Sequence, residues 1–326
     1  PVTSIGLVLS AGGMHAAAFH AGVLAAISEA TGWDPRTADV LVGTSAGAST
    51  AVSLRAGLAA TDLASNCTGS PLSADGQGIA GRVTTRLDIP PPTDRTGAWW
   101  PANPMLVIRE ILSSRRPRPV VAIAGVLPEG TVSGVTIAER ASQVLPGPWP
   151  RAATWICAVD LDSGKRVVFG RDDVDAGIGE AVQASSAVPG HLTPVAIDGD
   201  RYIDGGSHST TNADLLSTLG LDLVVVSSSM TAVPSASAWP DGPVGRAWHS
   251  RTLRREIEAI RSRNTPVLVV QPTAIDLEIR NGGDMDRSSM ADICEGAALS
   301  ARACLAHPRS VAARGILERA AQSAPR

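Results

Sequence analysis

Val40-Leu41-Val42-Gly43-Thr44-Ser45-Ala46-Gly47-Ala48 is the stretch that decides the fold. Its first three residues are apolar and mostly β-branched, as at the end of a buried strand. A Gly-x-Ser-x-Gly follows without a gap, and Ala48 to Leu58 then mixes small and apolar residues in a way a helix accepts. A passage from strand to helix in so few residues forces the central residue into a strained backbone conformation. Glycines on either side let neighbouring backbone come close. Ser45 is therefore expected to stand clear of the sheet, near the positive end of the following helix. The same letters also spell an ordinary small-residue turn, and the motif alone does not separate the two readings.

Toward the N-terminus, Ile5 to Leu9 is a short apolar run that fits a parallel strand. Ser10-Ala11-Gly12-Gly13-Met14-His15-Ala16 breaks it, and Ala17 to Glu29 carries Phe19, Val23, Leu24 and Ile27 at helical spacing. Strand, glycine turn, helix, strand, elbow and helix make a βαβα opening, which predicts a parallel sheet with helices on its faces. The Gly12-Gly13 turn lacks the lysine of a phosphate-binding P-loop and the third glycine of a dinucleotide fingerprint. It reads either as a plain connection or as an anion cradle, with successive amides at a helix N-terminus facing a negative oxygen.

Toward the C-terminus the signal weakens from Ala59 to about Pro150, a stretch punctuated by Pro90-Pro91-Pro92, Trp99-Trp100-Pro101, Pro117 and Pro119. This region is expected to be an irregular cap, with a helix over Met105–Leu112 and an apolar run of undecided type over Val120–Val126. Trp99 and Trp100 read as pins for a loop or as a lipid-facing pair. Order returns with strands at Thr154–Val159 and Arg166–Phe169, then a small-residue helix over Ile178–Ser186. A hairpin turns at Asp198-Gly199-Asp200, and its second arm runs into Asp204-Gly205-Gly206. An aspartate at a strand end either projects a carboxylate into a cleft or satisfies its own turn. Further strands are expected at Leu221–Val226 and Val267–Val270. The arginine-rich segment Val244–Ser262 reads as a solvated outer helix or one lying on an anionic surface. Helices over Asp292–Leu305 and Ser310–Gln322 close the chain.

These motifs in this order resemble the patatin-like phospholipase family. Its glycine-rich opening is similar to Ala11-Gly12-Gly13-Met14-His15-Ala16 followed by Gly22-Val23-Leu24, and its elbow to Gly43-Thr44-Ser45-Ala46-Gly47. Its A-S-x-A-x-P segment is similar to Ala184–Pro189, and its D-G-G/A to Asp204-Gly205-Gly206. The resemblance covers roughly residues 4 to 230. It implies a three-layer α/β/α fold with a mainly parallel central sheet, here as one domain with a cap-like insertion about 59–150 and terminal helices about 288–322. It implies a lipid acyl hydrolase with a Ser45–Asp204 dyad and an acyl-enzyme. The amides of Gly12, Gly13 and Met14 would then hold the oxyanion. The expected partner is a lipid or ester substrate, met through transient contact with a membrane surface. The sequence departs from the family pattern at Ala11 and Ala16, where glycine is usual, and at His15, where arginine or lysine is usual. Alanine disfavours positive φ, so the loop is expected either to avoid that region or to carry strain there.

The totals narrow the alternatives. With 44% hydrophobic and 18% charged residues over 326, the composition is globular, and a net charge of -3 gives no reason to expect nucleic acid. Cys67, Cys157, Cys294 and Cys304 share no metal or disulfide spacing, so neither metal nor cofactor is expected and a cytoplasmic location is the default. Two rivals to the dyad remain. One is a hydrolase with a histidine base drawn from His208 or His307, which follow Asp204 in the order such a triad requires. The other is a lipid-binding or regulatory protein that kept the fold with little turnover.

Overall fold

The computed structural model describes residues 3–87, 89, 100–106, 119–233, 243–281 and 287–323. Pro90–Pro92, Trp99 and Pro117 lie outside these, as does all of the expected Met105–Leu112 helix except Met105 and Leu106.

The apolar runs become one sheet. Its strands are β1 (Ile5–Leu9), β2 (Val40–Thr44), β3 (Ala153–Asp160), β4 (Arg166–Phe169), β5 (Val195–Ile197), β6 (Asp200–Asp204), β7 (Leu223–Ser227) and β8 (Val267–Val270). Hydrogen-bonded pairing links them as β5-β6-β3-β2-β1-β7-β8, with β4 also paired to β3. The five strands from β3 to β8 along this order pair in parallel, while β4, β5 and β6 run antiparallel to their neighbours. The helices are α1 (Gly13–Thr31), α2 (Ala46–Arg55), α3 (Ala60–Thr68), α4 (Ala74–Arg82), α5 (Pro119–Val126) and α6 (Val135–Val144). After them come α7 (Ile178–Ser185), α8 (Pro243–Arg261), α9 (Ala274–Asn281), α10 (Arg287–Ala306) and α11 (Val311–Ser323).

Successive side chains of a strand face opposite sides, and this alternation separates the layers. Ile5, Leu7, Leu9 and Leu41 pack with Leu24 and Ile27 of α1 and with Ala297 and Ala301 of α10. Val8, Val40, Val42 and Val224 pack on the other side with Leu253 and Ile260 of α8. Buried on both faces, these strands read as continuous apolar runs, as parallel strands do.

Two expectations change in detail. The region 59–150, expected to be irregular, contains α3, α4, α5 and α6, and the undecided run Val120–Val126 is helical. Helix α8 is not simply an outer helix: Leu253, Glu256 and Ile260 are buried. Glu256, on the segment read from sequence as an outer helix, accepts hydrogen bonds from Thr211 Oγ1 and from the Ala213 amide (3.0 Å). Burial, with Asp214 nearby, pushes its carboxyl up to about 7.

Candidate active site

The site is built at one edge of β3. On that edge β2 runs parallel to β3 and ends with Thr44 opposite Cys157. From the other direction β6 runs antiparallel to β3 and ends with Asp204 opposite Ala158. Strand β4 pairs with Ile156 to Val159 and thus shares residues with both, so it must occupy β3's other edge. The two strands therefore meet end to end on a single edge, and Ser45 and Asp204 follow as neighbours from that register.

Each is held by its surroundings. Ser45 adopts φ 55° and ψ −117° between β2 and α2, a conformation costing a side-chain-bearing residue on the order of 1–3 kcal/mol. Gly47 permits the turn because a Cβ there would collide with the Leu9 carbonyl of the adjacent strand. The Ser45 amide donates to Ser185 Oγ (2.8 Å), whose hydroxyl donates to the Cys157 carbonyl (2.6 Å). Two residues on, the Ala187 carbonyl accepts from the Asp204 amide (2.9 Å). Ala184–Pro189 is thus a clamp that fixes both backbones, a role its sequence did not disclose. Behind the elbow, Asn212 Nδ2 donates to Thr44 Oγ1 (3.1 Å), and Arg166 ties Asn212 to Asp214.

The Asp204 carboxylate accepts from the Gly206 amide (2.6 Å), and the neighbouring Ser45 hydroxyl also favours its charged form. Burial outweighs both effects and lifts its pKa from 3.8 to about 6. A carboxylate so placed is ionised at neutral pH yet basic enough to take a proton.

The glycine loop faces the same point. Gly12 has φ 137° and Gly13 φ 64°, so the positive φ values fall on the two glycines. Ala11 and Ala16 both lie outside that region, which resolves the strain expected of them. As first residues of α1, Gly13 and Met14 have no carbonyl a turn earlier in the helix to receive their amides. His15, on the same turn, lines neither cavity described below. The loop rests on His20, fully buried, whose Nε2 lies 2.9 Å from the Ser10 carbonyl and Nδ1 2.7 Å from Ser227 Oγ. A carbonyl only accepts, so the network assigns the proton to Nε2 and leaves Nδ1 to accept from Ser227. Burial holds this imidazole neutral, with its pKa down to about 4.

Two cavities converge on Ser45. One, of about 400 Å³, is lined by Gly13, Val52, Ile137, Val144 and Leu192 among others and is bordered by the exposed Met14, Leu87, Ile89 and Val188. The other, of about 480 Å³, contains Asp204, Gly12, Thr210 and His249, with Val120, Ile123 and Leu127 along one wall. Of the histidines considered as a base, neither His208 nor His307 lines either cavity. His307 instead caps a turn before α11, accepting from the Arg309 amide (3.2 Å). Among the described residues no group of acidic, histidine and cysteine side chains is arranged to hold a metal ion, and no helix is long and apolar enough to cross a membrane.

An α/β sheet with a serine on a strand-to-helix elbow, an aspartate beside it and an amide cradle next to both defines the class of serine-elbow α/β proteins. A family model described as patatin-like phospholipase matches residues 7–217, and the chain belongs to that family. Among solved structures, this chain is similar to VipD from Legionella pneumophila, at 13% identity and a TM-score of 0.43. That match covers 93% of this chain and 66% of VipD, so the chain spans just under two thirds of that structure's length. No curated protein matches it.

Proposed function

We propose that this protein is a serine lipid acyl hydrolase that works through a Ser45–Asp204 dyad. The observation that carries the reading is the placement of Ser45 beside a buried Asp204, at strand ends that meet on β3 and where two cavities join. Asp204 accepts the serine proton as Ser45 Oγ attacks an ester carbonyl. The amides of Gly12, Gly13 and Met14 hold the negative oxygen that develops, where each such donor contributes about 2.7–4 kcal/mol. The protonated Asp204 then donates to the departing alkoxide, leaving an acyl-Ser45 ester. Water attacks that ester, Asp204 takes its proton, and the serine is released with the acid.

The base that protonates the leaving oxygen must face it. Asp204 lines only the larger cavity, so the alcohol half of the ester belongs there and the acyl chain in the smaller one. The exposed apolar residues bordering the acyl cavity, with Ile123 beside the other, favour entry from a lipid surface.

Hydrolysis of a p-nitrophenyl acyl series tests the proposal. The parent is expected to turn over, with Ser45→Ala and Asp204→Asn each reduced by about 10⁴-fold or more. An inactive parent would leave the binding-protein alternative. Full activity in Asp204→Asn would remove the dyad.

A further inference from the structure

The larger cavity has two poles. His249 of α8 reaches it beside Asp204, and Val120, Ile123 and Leu127 form an apolar wall along α5 and the residue after it. Among the described residues His249 has no hydrogen-bond partner, and it is only partly buried where it lines the cavity. Its burial and the nearby Arg246 keep the ring neutral at pH 7, so it offers one N–H donor and one lone pair. A ligand hydroxyl at this point would meet that donor or lone pair inside the cavity. An apolar wall opposite asks for a hydrocarbon portion in the same ligand.

Resting on the hydrolase reading above, we propose that this cavity is the alcohol subsite and that His249 selects an alcohol moiety bearing a free hydroxyl next to the ester. The substrate class that fits both poles is the partial glyceride. Its free glycerol hydroxyl meets His249, and any further chain runs along Val120, Ile123 and Leu127. When the acyl carbon–oxygen bond breaks, the proton that Asp204 took from Ser45 passes to the glycerol oxygen, and the alcohol leaves carrying all its hydroxyls. His249 binds the alcohol and takes no part in that transfer.

The test compares three esters of one acid, so that the acyl cavity sees the same chain throughout: 1-octanoylglycerol, hexyl octanoate and p-nitrophenyl octanoate. The readout is the ratio of kcat/KM for the glycerol ester to that for the hexyl ester. His249→Phe is expected to lower this ratio about tenfold, mainly through KM, the loss of one hydrogen bond. His249→Gln, which keeps a donor and an acceptor, is expected to restore most of it. Ile123→Asp, at an exposed position that tolerates charge, is expected to raise the ratio by weakening the hexyl ester. An unchanged ratio in both His249→Phe and Ile123→Asp would overturn the subsite, as would equal failure of the Gln and Phe variants. Failure of the hydrolase reading looks different: the parent would not release p-nitrophenol, and the subsite would fall with it.

Discussion

Two regions of this molecule carry its chemistry and are built under different rules. Ser45 and Asp204 stand at the ends of β2 and β6, fixed by hydrogen-bonded register on β3. The cavity walls come largely from α2, α5, α6 and the segment near Val188, which meet by side-chain packing. A strand end has one position available to it, and a displaced residue loses the geometry altogether. A packed wall can yield by a few tenths of an ångström and still enclose a ligand. Changes at the strand ends should therefore alter rate or stability steeply, and changes in the walls should alter selectivity.

After the two dyad residues themselves, the steepest effect is expected at the glycine loop. In Gly12→Ala the new Cβ would sit 2.8 Å from Ser229 Oγ at a φ of 137° that alanine avoids. The loop must move, and kcat should fall about 10²–10³-fold with little change in KM, as for loss of an oxyanion donor; steady-state kinetics on one ester checks this. Next is the ionisation of Asp204. The folded state binds this proton more tightly than the unfolded chain, about 6 against 3.8. The group thus costs the fold increasing stability as pH rises through that window, reaching at most ~3 kcal/mol above it. Asp204→Asn removes the charge, so urea midpoints should show the variant more stable than the parent at pH 8, with the gain shrinking as pH falls from about 6 to about 4 and lost below that.

Ser185→Ala takes away the acceptor of the Ser45 amide and should cost ~1–3 kcal/mol in urea unfolding. Because the elbow loses its anchor, kcat should fall with it, and Ser185→Thr should recover part of both. The smallest effect on rate belongs to the walls. Val144→Phe narrows the acyl cavity, and a chain-length series should show its optimum move to shorter acids while the best substrate keeps a rate within about tenfold of the parent's, a small-to-large change of modest cost. A Val144 variant that abolished turnover on every chain length would erase the distinction between the two regions.

The same division explains what was legible in the sequence. Ile5–Leu9, Arg166–Phe169 and Val267–Val270 coincide with β1, β4 and β8 because a buried strand is announced by a few consecutive residues. Helix α1 begins at Gly13, four residues before the apolar periodicity does, since Gly13 and Met14 at its start are exposed and give no apolar pattern to read. The region 59–150 hid its helices: α4, Ala-Asp-Gly-Gln-Gly-Ile-Ala-Gly-Arg, has three glycines and little intrinsic helical preference. Packing and its Ser73 cap, whose side chain accepts from the Gly76 amide, hold it. Ser185 and Glu256 were opaque for another reason. One bonds across 140 residues of chain to Ser45, and the other across 45 to Thr211, and no local pattern reports such partners. His249 reaches the Asp204 cavity from a helix that reads from sequence as arginine-rich surface.

The most direct test of the central claim, that Asp204 activates Ser45, is the pH dependence of fluorophosphonate labelling followed by intact-protein mass spectrometry. A single adduct should form on Ser45 and be absent from Ser45→Ala. Its rate should rise with pH through a midpoint near 6, where the buried carboxyl ionises, and Asp204→Asn should label far more slowly and without that midpoint. Labelling of Asp204→Asn at the parental rate across the same range would contradict the account.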